Sequence, residues 1–166
     1  LRVSSPTRPT VMPSRKLADC TPRFLTPFQA FAANALEAGV PLLLVQTLRS
    51  AEESAANIAN GTSWVSDPLA SKHVDAYLRG WTIHGADAAD VVPYETYLLH
   101  GPDKLQLDAA DPVWLKVRDC AQAAGLGWGV TQWRQVRGVR TLVQVDPGHV
   151  YWTGPIYGPL RGVVRV

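Results

Sequence analysis

Cysteine is scarce in this chain, and Cys20 and Cys120 form no CxxC pair. That excludes a disulfide framework and a cysteine-built zinc site, and two free, largely buried thiols are expected instead. Long apolar runs are missing too. The longest, Val40–Val45 (VPLLLV), is strand-sized, far short of the ~20 residues that span a bilayer, so no membrane insertion is expected. The basic start LRVSSPTRPTVMPSRK is followed by no apolar core, so no signal peptide is read there. Nor does one sign of charge dominate. The 16 Lys and Arg against 14 Asp and Glu give a net charge of +2, and no basic stripe is interleaved with aromatics. Nucleic acid is therefore not expected as a partner.

What is present suits one domain. At 166 residues, 46% of them hydrophobic, the chain is long enough to bury a real core. Residues 1–13, rich in Pro, Ser and Thr, read as a disordered N-terminal extension, and 14–166 as the single domain. Thr26-Pro27 opens a helix with Phe28, Phe31, Ala32, Ala35 and Leu36 on one face, ended at Gly39. Pro41–Leu48 reads as a buried strand. Ser50-Ala-Glu-Glu53 is a capping-box pattern, predicting a helix over 51–59. Residues 61–87 read mostly as loop and Ala88–Val92 as a short strand. A third helix follows Asp111-Pro112, with Trp114, Val117 and Ala121 inward. Thr141–Val145 and His149–Trp152 read as strands, and the last stretch, TGPIYGPLRGVVRV, is either an edge strand or a tail. Helices early and strands later make this an α+β domain with a small antiparallel sheet and helices packed on one side.

Chemistry must come from few residues, because the histidines are His73, His84, His100 and His149. His149 stands in Asp146-Pro-Gly-His149. Asp90 ends an apolar strand, where a carboxylate is costly unless paired or metal-bound. Two imidazoles and one carboxylate form a catalytic rather than a structural zinc set, because a coordination position stays open for water. Asp146, three residues before His149, is placed to act as a base on that water.

Several segments resemble tailed-phage endolysins of the L-alanyl-D-glutamate peptidase type, within the superfamily of D-Ala-D-Ala carboxypeptidases and hedgehog-like domains. They are Gln46-Thr-Leu-Arg49-Ser50, Ala56–Ser63, Asp67-Pro68, Ser71-Lys-His73, Ala89-Asp90-Val-Val-Pro-Tyr94 and Asp146-Pro-Gly-His149. Weaker similarity lies in Ala124–Gly129 and Trp133. The resemblance implies a hedgehog-like fold with Zn2+ on His73, Asp90 and His149, and Asp146 as general base. It also implies Arg49 as a substrate anchor or carbonyl-polarising group, although an arginine there also suits a surface strand end beside a helix start. The implied activity is zinc-dependent cleavage of the L-Ala–D-Glu bond of peptidoglycan. A D,D- or L,D-carboxypeptidase, or a non-catalytic wall-binding module on the same fold, is the alternative. The implied setting is a monomer held in the host cytoplasm until lysis, then acting on the cell wall. No separate wall-binding module is visible.

The superfamily pattern SxHxxGxAxD sets its histidine and aspartate seven positions apart, whereas His73 and Asp90 are separated by an inserted stretch at about 74–85. Three outcomes stay open: His73 binds metal and the insert, with Tyr77 and Trp81, loops over the site; His84 takes its place; or the site is spoiled. Loop insertion itself costs little in closure entropy. Tyr151 follows His149-Val150 where relatives often carry Glu or Gln, which leaves the orientation of His149 open. Asp87 reads as a solvated loop carboxylate, and His100 as an exposed loop residue.

Overall fold

Thr21-Pro22 starts the first helix, five residues ahead of the expected Thr26-Pro27. In the computed structural model, which describes residues 13–94 and 105–162, the Thr21 hydroxyl accepts from the Phe24 N–H and α1 runs Pro22–Glu37. Pro27 therefore lies inside the helix, where it removes a backbone donor. The extra turn buries Phe24 completely and sets its ring 5.4 Å from that of Phe28. Burying a phenylalanine stabilises by about 1.5–3 kcal/mol, comparable to the proline's cost of ~3 kcal/mol.

The chain continues as β1 (Leu42–Gln46), α2 (Ala51–Ala59), β2 (Ala88–Pro93), α3 (Val113–Ala123), β3 (Leu126–Trp128), β4 (Thr131–Val136), β5 (Val139–Gln144) and β6 (His149–Trp152). Antiparallel pairing orders four strands β1-β2-β6-β3, while β4 and β5 form a separate two-stranded sheet. The α+β architecture is thus as expected. The strand β1 differs from its reading: it is an edge strand, with Leu43 and Val45 exposed rather than buried. Helices α1 and α3 pack on each other and on the sheet. Their Phe24, Phe28, Phe31, Trp114, Val117 and Ala121 meet Ala89, Val91 and Val150 in one core. Successive side chains of a strand face opposite ways, so Asp90 and His149, neighbours of those core residues in sequence, project from the other face.

Helix α2 shows the full reciprocal cap: the Ser50 hydroxyl accepts from Glu53 N–H at 3.0 Å, and the Glu53 carboxylate accepts from Ser50 N–H at 2.9 Å. Ser50→Ala is expected to cost about 1 kcal/mol, read as a melting temperature lower by roughly 2–4 °C.

The inserted stretch folds onto itself. Asp75 Oδ1 accepts from the N–H groups of Tyr77 and Gly85, both at 3.0 Å, and Ala76 N–H donates to Gly85 O. Gly85 has φ +114°, and a Cβ there would lie 2.7 Å from the Cys20–Thr21 backbone. From inside the loop Arg79 donates to Val74 O and Ile156 O, and Gly158 N–H donates to Arg79 O. The described part of the C-terminal stretch, residues 153–162, therefore forms turns docked on the insert rather than an edge strand. Cys20 and Cys120 are free, the first buried and the second half-buried. Burial pushes the Cys20 thiol up to about 12. No described helix is long and apolar enough to cross a membrane.

Candidate metal site

Cross-strand pairing does most of the assembly. Asp90 on β2 lies directly opposite His149 on β6, and a shift in register between Leu44 and Gln46 puts Gln46 opposite Asp90 on the other side. The Asp-Pro-Gly-His turn is held close: Val91 N–H donates to Gly148 O, and a Cβ at Gly148 would lie 2.4 Å from Val91 O. Only glycine fits that approach.

His73 arrives from the loop side. Arg49 N–H donates to His73 O at 2.9 Å, and the two segments form a short parallel bridge at Arg49 and Val74. The His73 ring Nδ1 lies 2.6 Å from Thr47 O. A carbonyl only accepts, so Nδ1 carries a proton and Nε2 is the ring nitrogen turned to the site. Lys72 ties the same segment to the end of β6, donating to Trp152 O at 2.5 Å and Gly154 O at 2.8 Å. Burial lowers its pKa to about 8.

Three atoms then form a closed triangle. His73 Nε2 is 3.2 Å from Asp90 Oδ1 and 3.2 Å from His149 Nδ1, and His149 Nδ1 is 3.1 Å from Asp90 Oδ1. Tetrahedral bonds of about 2.0–2.1 Å require ligand separations of about 3.3–3.4 Å. The triangle comes close to this, and its facing lone pairs need a cation or a proton among them. The residues fit a divalent ion. Among the described residues, His73, Asp90 and His149 are the group able to hold one.

Burial works to raise the Asp90 carboxyl, but the imidazoles of His73 and His149 outweigh it and hold the group well below the usual carboxylate range. Asp146 is pushed the other way: burial first, then the like charge of Asp90, raise its pKa above the ordinary value. Its N–H donates to Gln144 Oε1, which also accepts from Val130 N–H. Gln144 thereby braces the turn that carries Asp146 and His149, a role no local signal in the sequence announces. Tyr151 stacks on His149 with ring centroids 5.3 Å apart, so an aromatic face packs against the imidazole.

The triangle forms part of the lining of a cleft of about 440 Å3, shared with Arg49, Asp146, Trp64 and Thr131. Arg49 Nη2 donates to Gln46 Oε1 at 2.6 Å, while its buried Nε has no protein partner. His84 lies elsewhere. It is 71% exposed, bonded to Asp75 and stacked on Tyr77. Nor does the insert loop over the site: none of its residues lines the cleft, and Trp81 packs edge-on against Trp152 under the Arg23 guanidinium. His100 lies outside the described residues.

Asp87 is not a solvated loop carboxylate. It is fully buried, accepting from Thr21 Oγ1, from Arg23 through two nitrogens and from Arg79 Nη2. Nothing in its local sequence distinguishes it from an exposed aspartate, because its partners come from α1 and from the insert.

No protein-family model matches the chain. A curated protein does. The similarity is to the L-alanyl-D-glutamate peptidase of Escherichia phage T5, 40% identical over 67 residues. That match covers 40% of this chain and 42% of the phage protein, so it spans about two fifths of the relative's length. Among solved structures, the Serratia marcescens L-Ala D-Glu endopeptidase ChiX superposes with a TM-score of 0.49 at 20% identity, over 82% of this chain and 83% of that one.

Proposed function

We propose that this chain is a zinc-dependent peptidoglycan hydrolase that cleaves the L-Ala–D-Glu bond of the wall peptide, with His73, Asp90 and His149 as metal ligands. The observation that carries the reading is the His–Asp–His triangle set in an open cleft beside a second carboxylate. The name of the phage relative supports the choice of bond. An ion held there would supply Lewis acidity to the scissile carbonyl and lower the pKa of a water.

The chain's own groups do the rest. Asp146, which lines the cleft beside the triangle, takes a proton from the attacking water and returns it to the leaving amine. Arg49, whose side chain is part of the cleft lining, anchors a carboxylate of the stem peptide. Thr47 O fixes the His73 ring, and Lys72 fixes the segment that carries it. The protein acts as a monomer on the cell wall.

Digestion of purified peptidoglycan followed by mass spectrometry of the new termini tests the reaction. New N-terminal D-glutamate is expected. Released D-alanine would make the enzyme a carboxypeptidase, and an intact wall with bound protein would make it a binding module. Metal content tests the site: one zinc per chain is expected, lost in His149→Ala. An unchanged zinc content in that variant would remove the ligand assignment.

A further inference from the structure

The hairpin β4–β5 is joined in the sheet topology only to itself. Its turn, Arg137-Gly138, has φ of 51° and 78°, the two-residue geometry that matches strand twist and makes a stiff projection. Side chains alternate, so Thr131, Trp133 and Gln135 share one face, opposite Gln144, Leu142 and Arg140. Thr131 lines the cleft. One step further along the same face, Trp133 is 59% exposed and Leu142, its cross-strand partner, 49%. The Arg140 guanidinium stands 5.2 Å from the Trp133 ring.

An aromatic-aliphatic pair left open in this way contributes little to the main core and marks an interaction surface. Its charge narrows the partner. From Gly129 to Val145 the chain carries Arg134, Arg137 and Arg140 and no Asp or Glu. The surface suits an anionic polymer with flat apolar faces, and it is continuous with the cleft through Thr131. We infer that the Trp133 face of the hairpin is a secondary binding subsite for the peptidoglycan strand whose stem peptide occupies the cleft. Trp133 and Leu142 pack on a sugar ring, and Arg140 meets a carboxylate of the same strand. The inference rests on the peptidase reading above. It gives the domain that holds the cleft its own grip on the insoluble wall.

The test compares wild type with Trp133→Ala and Trp133→Ala/Arg140→Ala. Pelleting with purified sacculi and kcat/KM are measured on sacculi and on a soluble stem peptide, and unchanged melting temperatures verify folding. Pelleting and sacculus cleavage are expected to weaken roughly tenfold, the latter through KM, while cleavage of the soluble peptide stays within about twofold of wild type. Unchanged pelleting overturns the inference, and so does an equal loss on both substrates. Wild-type dimerisation abolished by Trp133→Ala, in analytical ultracentrifugation, would overturn it in favour of a second copy of the chain. If wild-type protein pellets with the wall but cuts neither substrate, the peptidase reading fails, and the pelleting comparison still decides the hairpin.

Discussion

Asp146→Ala is expected to lower peptidoglycan cleavage by roughly 10²- to 10⁴-fold, the usual contribution of a positioned acid–base group, while one zinc per chain remains. The separation of the two readouts follows from the site. Asp146 lines the cleft but is outside the His73–Asp90–His149 triangle, so its removal leaves the three donor atoms in place. Its neighbours also explain its suitability. Burial and the nearby Asp90 charge both raise its pKa above the ordinary carboxylate value, and it lines the same cleft as the triangle. Release of new termini, followed by mass spectrometry beside metal analysis, checks this. Activity that survives the substitution would transfer the base role to another group, and zinc lost with activity would make Asp146 a structural part of the metal site.

Asp87→Ala is expected to be the most damaging substitution for stability, at about 3–5 kcal/mol, because removing one partner of a buried ion pair leaves an uncompensated charge. Arg79 is only 1% exposed, and its contact with Asp87 at 2.6 Å is its link to a carboxylate. Its other two bonds go to carbonyl groups. Against a typical domain stability of about 5–15 kcal/mol, that loss brings the fold near its limit. Urea unfolding of both proteins measures it, and a difference under ~1 kcal/mol would show that the cluster relaxes or admits water.

The same carboxylate sets an acid limit on the fold. Burial alone would raise its pKa, but hydrogen bonds from Arg23, Thr21 and Arg79 outweigh this and lower it. A group with a depressed folded pKa contributes stability that is fully present above its unfolded value, about 3.9. That contribution is lost as pH falls through the folded value. Melting temperature is therefore expected to fall with acidification below about pH 4, and less steeply in Asp87→Asn.

Local signals in the chain sufficed where the physics is local. The Ser50–Glu53 box places α2 because both bonds of its cap lie within four residues. The apolar run Ala88–Val92 announced a strand, and its one carboxylate, Asp90, demanded a partner because a buried charge needs one. Asp146-Pro-Gly-His149 specified a tight turn into β6. The turn's consequence, Asp90 facing His149, required the sheet register. Conversely, the expected strand at Thr141–Val145 is β5, Val139–Gln144, whereas its partner β4 carries no such signal, because nearly all its side chains are exposed and no in-out alternation of apolar residues marks it. The start of α1 is ambiguous in the sequence because two Thr-Pro pairs carry the same capping signal, and burial of Phe24 decides for Thr21-Pro22.

By itself, then, the sequence determined an α+β domain, the capped helix α2 and a short set of residues able to hold a metal. Those properties rest on side-chain chemistry and on contacts within a few residues. Only the tertiary structure decided which histidine joins Asp90. The insert closes through Asp75 and Gly85 and is anchored by Arg79 on Asp87 and on the C-terminal turns. It therefore folds away with His84 exposed, while Thr47 O and Lys72 hold the His73 segment at the cleft. Each of those contacts joins segments distant in the chain or turns on how a loop closes in space. Spacing along the sequence therefore left the second imidazole undetermined.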